Sequence, residues 1–270
     1  MKNIKINFWL ATTGLLIFFI YAFLMSPGEK QAKLINIGVP DDSASYVFRY
    51  LIEELGLKGQ LSTMLGIYPI KDCCTSTSEW ALSTDNLDMA VICPDAAERL
   101  IEKDSRYYIL GPCRVNSDIL ISGPSSRVNK IGITQNRWYQ ETLAHEHLGP
   151  DIDVYPMLGN ALPFAIQNGR IDGAIMDIAN ALRLEGKITS LSRGKDHITY
   201  VLVVRKDILH EPIFYEFVNL YNQAVQELQD EQSLQIIIEK YAGYSCNGKE
   251  ASEWIKMNVQ YKPLIIPATD

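Results

Sequence analysis

The sequence has no lysine- or arginine-rich run, no Gly-x-Ser-x-Gly elbow, no phosphate loop and no Gly-x-Gly-x-x-Gly fingerprint. The first absence, with a net charge of -7 and a pI near 5.2, removes the electrostatic footprint of a nucleic-acid binder. The acidity itself reads as solubility. The other absences leave a hydrolase, a phosphoryl-transfer enzyme or a dinucleotide enzyme without a sequence signature. Histidine is scarce, four in all. His145 and His147 stand two apart on a predicted helix, so they point to different faces and do not form the i, i+4 pair of a zinc protease. They read as surface residues. No cofactor is expected.

Cysteine is also sparse, at five residues. Five is odd, so at least one thiol is left over unless it has another partner. Long apolar runs are absent too, with one exception. Lys2 and Lys5 precede the uncharged stretch from Phe8 to Met25, which ends at Ser26, Pro27 and Gly28. Eighteen residues at helical rise reach about 27 Å, close to a hydrocarbon core. No small-x-small cleavage site follows, and no cysteine lies nearby to take a lipid, so residues 1–30 are expected to be an uncleaved signal anchor rather than a cleaved leader. The lysines put the amino end in the cytoplasm and the remainder outside, at the cell membrane. Thiols outside the cytoplasm usually pair, and Cys113 and Cys246 are open to burial or bridging.

The remaining 240 residues, 47% hydrophobic over the whole chain, are enough for one large domain or two lobes. Strand and helix alternate. LINIGV (34–39) is a strand; Asp41, Asp42 and Ser43 supply caps for an amphipathic helix over 44–55, stopped by Gly56. A strand over 61–67 leads to the adjacent Cys73 and Cys74, and Ser76 with Glu79 form a capping box for a helix to about Ser83. LDMAVI (87–92) is a strand, Cys93 follows it, Asp95 starts a helix, and 106–113 is strand-like. A second round follows: strand 130–134, a helix opened by Gln135 and Asn136, a strand from Asp151, a helix capped by Asn160, strand 171–176 and a helix over 178–185. NLDMAVICPDAAERL (86–100) echoes RIDGAIMDIANALRL (170–184). Ser117–Ser122 and His197–Asp207 are strands that cross between rounds, and helices over 212–228, 233–241 and 251–257 close the chain. Two α/β lobes with mostly parallel sheets are expected, with a cleft between them and hinges near 117–123 and 197–205. Lobe 1 is residues 31–119 and 203–270; lobe 2 is 120–202. Tyr68, Trp138 and Tyr155 are expected to pack in the core, with the pocket wall as the alternative.

This order of elements, carried by LINIGVPDDSAS, the two echoing segments, KIGITQNRWYQETLAHEHLG and YVLVVRKDILHEP, resembles the type 2 periplasmic-binding-protein fold. It resembles in particular the solute-binding proteins of ABC importers for sulfonates, nitrate and thiamine precursors, over about residues 34–257. The adjacent Cys73 and Cys74 depart from that pattern. In a membrane-tethered binding protein they resemble the SaoB-type binding components of selenocysteine-assisted organometal transport, which carry a Cys-selenocysteine pair or its Cys-Cys form. The resemblance implies a non-enzymatic, extracytoplasmic binding protein that captures a small solute, or an organometal, and delivers it to an ABC transporter permease. It places the starts at Asp41, Asp42 and Ser43, at Gln135 and Asn136, and at Gly159 and Asn160 on the cleft, where backbone amides bind polar groups. Asp177 joins them as a ligand contact or a helix cap.

Vicinal thiols are open to three readings: chance or structure, a redox pair, or a soft-metal site, since thiolate selects soft metals. The helix start at Ser76 favours thiolate and Asp72 opposes it. Cys93 is a third candidate ligand or a small buried hydrophobe. The alternative class is a thiol- or metal-dependent enzyme on the same fold, of the thiamine-pyrimidine-synthase kind, or a redox protein.

Overall fold

The computed structural model describes residues 34–55, 65–71, 81–123 and 128–267. The expected anchor, the Cys73-Cys74 loop with Asp72, and the Ser76-Glu79 capping box lie outside the described residues. Among the described residues no helix is long and apolar enough to cross a membrane.

Among the described residues, eleven strands form two sheets. Sheet A takes β1 (Ile35–Pro40), β2 (Leu65–Ile70), β3 (Met89–Ile92), β4 (Tyr107–Val115), β10 (Ile198–Arg205) and β11 (Gln260–Tyr261), in the order β11-β4-β10-β3-β1-β2. Sheet B takes β5 (Asp118–Ser122), β6 (Lys130–Thr134), β7 (Asp153–Met157), β8 (Gly173–Asp177) and β9 (Lys187–Ser190), in the order β7-β6-β8-β5-β9. The helices are α1 (Tyr46–Tyr50), α2 (Pro94–Lys103), α3 (Trp138–Leu148), α4 (Leu162–Gln167), α5 (Ile178–Ala181), α6 (Pro212–Glu227), α7 (Glu231–Tyr241) and α8 (Glu250–Lys256). A wide turn of helix over Leu51–Leu55 extends α1. The described end of the helix before β3 is Ala81–Ser83.

The sheets are mixed rather than mostly parallel: four of the nine strand pairings are parallel and five antiparallel. The reason lies in the crossings. β1, β3, β6 and β8 end at the cleft, whereas a strand arriving from the other lobe starts there, so β5 beside β8 and β10 beside β3 must run the opposite way. The chain changes sheet at Asn116–Ser117 and returns at 191–197. Ile198–Leu202 therefore already pair within sheet A, ahead of the expected return at 203. The short edge strands β9 and β11 escape the hydrophobic pattern, because β9 alternates exposed and half-buried residues and β11 has only two. α5 is four residues, not eight, and Leu182–Glu185 leaves it as a turn.

The two sheets repeat one another. Pairing Ile37 with Met89 and Ile131 with Gly173 places β1 on β6 and β3 on β8. The repeat extends to side chains. Asp88, just before β3, accepts from the Asn36 amide at 2.9 Å, and Asp172, just before β8, accepts from the Lys130 amide at 2.8 Å. Gly38 and Gly132 stand in matching places, where a Cβ would come within 2.3 Å of Ile70 and 2.6 Å of Ile171 and Leu162. A wholly buried strand, β3, runs down the middle of sheet A. Each such aliphatic side chain contributes about 1.5–3 kcal/mol of burial. Lobe 1 completes its core with α6 and α7 and with Trp254 of α8, whose ring stacks on Tyr46 at 5.9 Å.

The crossings are tied to each other. Asn116, held at φ 59°, donates its amide to His197 O at 2.9 Å and accepts the His197 amide on Oδ1 at 2.8 Å. Its side-chain amide also meets Asp196 and the Asn258 carbonyl.

Candidate functional site

Three positions in lobe 1 face three equivalent ones in lobe 2. After β1 comes Ser43, and after β6 comes Arg137. At the end of β3 comes Cys93, and at the end of β8 comes Asp177. Opposite these strand ends, by register, are Tyr200 at the start of β10 and Asp118 at the start of β5. All six are buried.

Sequence makes these positions local chain events. Asp42 caps the turn Ser43–Ser45 by accepting from the Ala44 amide at 2.9 Å. Asp177 caps α5 by accepting from the Ala179 amide at 3.0 Å. Cys93 sits at the cap of α2, and Pro94, not Asp95, begins that helix. Asn136 adopts φ 64°, a region Asn tolerates, which turns the chain from β6 so that Arg137 enters the cleft.

The lobes meet directly here. Ser43 donates its hydroxyl to Asp177 at 2.6 Å and its amide at 3.2 Å. Arg137 grips Asp118 through Nη1 at 2.9 and 3.0 Å, and its Nη2 donates to the Tyr200 hydroxyl, which donates to Asp42. Asp118 also accepts from Gln140 at 2.6 Å and from Tyr139. Behind Ser43 stands Arg114 of β4, whose Nη2 lies 3.3 Å from the Ser43 hydroxyl and whose guanidinium is covered by Trp254 at 4.4 Å and Tyr261 at 3.9 Å.

Three carboxylates share this cluster with two guanidiniums. Burial, and then the nearby Asp177 charge, push the Asp42 carboxyl up to about 7 against the opposing pull of Arg137. Burial likewise raises Asp177, with Ser43 and Arg114 opposing. Asp42 is only partly buried as a residue, but its carboxyl is the enclosed end, bonded to Tyr200 and Ala44. Burial and Asp118 drive the Tyr139 hydroxyl well above its ordinary range, and Cys93 of the facing lobe is among the groups acting on it.

Of the residues proposed from sequence, the structure brings Asp42, Ser43, Cys93 and Asp177 to this cluster. Asp41 is exposed and lies 4.0 Å from Arg49. Gln135 is half-buried, its amide bonded to Met157 O at 2.8 Å. Gly159 packs by Thr134, and Asn160 is exposed and caps nothing, since Leu158 and Ala161 hold the cap positions of the turn and of α4. Tyr68, Trp138 and Tyr155, expected in the core, are 46%, 58% and 40% exposed. Cys113 is buried with its thiol pushed far up by burial, Cys246 is half-buried, and both are free thiols, as is Cys93. His145 and His147 are half-buried on α3; burial and Arg193 lower the titration of His147. Among the described residues no group of three or more His, Cys, Asp or Glu is placed to hold a metal.

Arg114, Asp118, Tyr139, Gln140 and Tyr200 were not singled out by sequence reasoning. Arg114 and Asp118 carried a signal, each being a charge beside a strongly apolar strand. The tyrosines carried none, because a strand tyrosine reads the same whether its hydroxyl faces a cleft or a core. Two cavities stand away from the cluster's centre: one of ≈240 Å³ behind Arg114, the other of ≈570 Å³ beside Gly123 and Asp172 at the far ends of β5 and β8.

No family model matches the sequence, and no curated protein does. Solved structures do. A zinc-bound ligand-binding component of an ABC-type import system from Staphylococcus aureus superposes with a TM-score of 0.70 at 16% identity, covering 87% of each chain. The periplasmic aliphatic sulphonate binding protein SsuA of Escherichia coli gives 0.63 at 12% identity, over 88% of this chain and 87% of its own. The alkanesulfonate-binding SsuA of Xanthomonas axonopodis pv. citri, bound to MOPS, gives 0.64 at 15%, over 88% and 89%. These matches span both lobes, and with the paired sheets and the cleft between them they establish that the chain has the two-lobed α/β fold of the periplasmic binding proteins.

Proposed function

We propose that this protein is a solute-binding protein of an ABC transporter, held at the outer face of the cell membrane by its first 30 residues, that captures its ligand between the lobes and hands it to a permease. One observation carries the reading: six equivalent positions at strand ends face each other across the cleft, and Ser43 of one lobe bonds Asp177 of the other. A ligand entering there replaces contacts that two lobes make when shut, which is how binding is coupled to closure. The likeness to ABC-type ligand-binding components over both lobes supports it.

The cleft's charge favours a ligand that brings positive charge. Asp42, Asp118 and Asp177 outnumber Arg114 and Arg137 in the cluster, Arg137 being paired with Asp118 and acting on Asp42 as well. A sulfonate would add a further anion to that group. A thiophilic organometal cation answers both features, with Cys73 and Cys74 as chelating thiolates and Cys93 at the cleft edge as a third donor.

Calorimetry with an organomercurial and an arylarsenical on the reduced full chain tests the finer reading. Cys73→Ser and Cys74→Ser should each weaken binding at least tenfold, Cys246→Ser should not, and an alkanesulfonate should fail to compete. Wild-type affinity in both vicinal variants would sink the thiol site and leave the solute-binding reading. Turnover of a bound solute would overturn that as well.

A further inference from the structure

We infer that Arg183 of lobe 2 is a clasp that sets how readily the two lobes shut, acting from outside the buried cluster. The inference rests on the reading of the lobes as closing on a ligand, but on no particular ligand. Arg183 reaches its place because α5 stops early. Asp177 caps that helix, which lasts four residues, and the chain leaves it through tight turns, with the Arg183 amide donating to Asn180 O at 3.3 Å and the Leu184 amide to Ala181 O at 3.0 Å. At the same place in the echoing segment of lobe 1, Arg99 lies within the ten-residue α2. In lobe 2 the matching arginine is off the helix, and its side chain crosses to lobe 1.

The carboxyl end of α7 receives it. The last carbonyls of a helix have no partner within it and carry the negative end of its dipole. α7 ends at Tyr241, Ala242 is its cap, and Gly243 turns the chain away at φ 68°. Arg183 Nη2 donates to the Ala242 carbonyl, and the guanidinium lies over the Tyr244 ring, 5.2 Å from its centre. One side chain thus meets a carbonyl, a helix dipole and an aromatic face, all on the other lobe. The receiving end is fixed in lobe 1: Leu234, Ile237 and Ile238 bury α7, and Tyr241 packs 6.1 Å from Tyr46, which follows the Ser43 turn.

The clasp differs in kind from the contacts at the cleft. Ser43 with Asp177, and Arg137 with Tyr200, meet where a ligand enters, so those contacts are exchanged on binding. Arg183 is exposed and its partners stand outside that cluster, so its contacts belong to the shut form with or without ligand. A contact made only when the lobes are shut shifts the balance of open and shut forms by its own free energy, whatever the ligand's chemistry.

Small-angle scattering on the ligand-free full chain at pH 5 tests it. Arg183→Ala should raise the radius of gyration, the fitted open-to-shut ratio rising about five- to thirtyfold, while the far-ultraviolet circular dichroism stays that of wild type. Arg183→Lys keeps the charge but loses the flat face over Tyr244, and should expand the chain less. Tyr244→Leu, made from the lobe 1 side, should give part of the same expansion and add less than its own effect to Arg183→Ala. Arg170→Ala removes an exposed arginine of the same lobe and should change nothing. A radius unchanged by Arg183→Ala, an expansion matched by Arg170→Ala, full additivity with Tyr244→Leu, or an expansion that comes with loss of helical signal would each overturn the clasp and leave the solute-binding reading standing. No solute is present in the measurement, so a failure to find one bears on that reading and not on the clasp.

Discussion

The two lobes are built on one plan and differ where they face each other. Both carry the strand order that puts the first strand beside the third, both use an aspartate before the third strand to hold the first strand's amide, and both have a glycine in the first strand where a Cβ would run into neighbouring side chains. At the cleft the equivalent side chains part company: Ser43, Cys93 and Tyr200 in lobe 1, Arg137, Asp177 and Asp118 in lobe 2. At these three positions lobe 1 presents hydroxyl and thiol groups, and lobe 2 presents charges. The frame is constrained by backbone hydrogen bonds and close packing, which tolerate few residue types, whereas the strand ends are constrained only by what meets them across the cleft.

The comparison breaks most sharply at Asp118 and Tyr200. Asp118→Ala leaves Arg137 buried without its carboxylate and should cost about 3–5 kcal/mol in urea unfolding. The equivalent Tyr200→Phe removes a hydroxyl between two partners and should cost about 1–2 kcal/mol. Similar losses at both positions would mean that lobe 2's charge pair is not the tighter fixture.

The shared frame offers a second test. Asp88 holds the Asn36 amide and also pairs with Arg205 at 2.5 Å, with both side chains largely buried. Asp172 holds the matching amides at a more open site. Asp88→Ala should therefore destabilise by about 2–4 kcal/mol and Asp172→Ala by about 1 kcal/mol, measured in the same way.

The last test is on closure itself. Asp42 titrates near 3.8 when unperturbed and at about 7 in the closed cluster, so the closed form holds its proton more tightly than an open one. Closure is then unpenalised below about pH 4, becomes progressively less favourable as pH rises from about 4 to about 7, and carries the full penalty above that. Scattering on the ligand-free chain should show a larger radius of gyration at pH 8 than at pH 5, and Asp42→Asn should reduce the difference, the remainder belonging to the raised Asp177. A radius unchanged with pH in the wild type would detach Asp42 from closure.

Much of this was visible along the chain. The echo of 86–100 in 170–184 marked the duplicated strand-helix unit, because a buried central strand and an alanine-rich helix start leave a pattern that survives divergence. Cys93 and Asp177 were reachable from it, each following a strand of the echo, while Asp42 and Ser43 were reachable as capping residues after LINIGV that the family resemblance put on the cleft. Gly159 lies beside Thr134, at the cleft end of β6, and Asn160 is exposed, so these two stand at the cleft edge outside the buried cluster.

The sequence by itself determined the two rounds of α/β structure, their cleft-edge positions and the excess of acid, since those follow from periodicity, caps and composition that act over a few residues. Only the tertiary structure decided that the crossing strands run against their neighbours, that Arg137 spends its charge on Asp118, and that Arg114 is wrapped between Trp254 and Tyr261. Those outcomes depend on residues 19, 140 and 147 positions apart meeting in space, and no local pattern encodes which distant charge or ring a side chain will find.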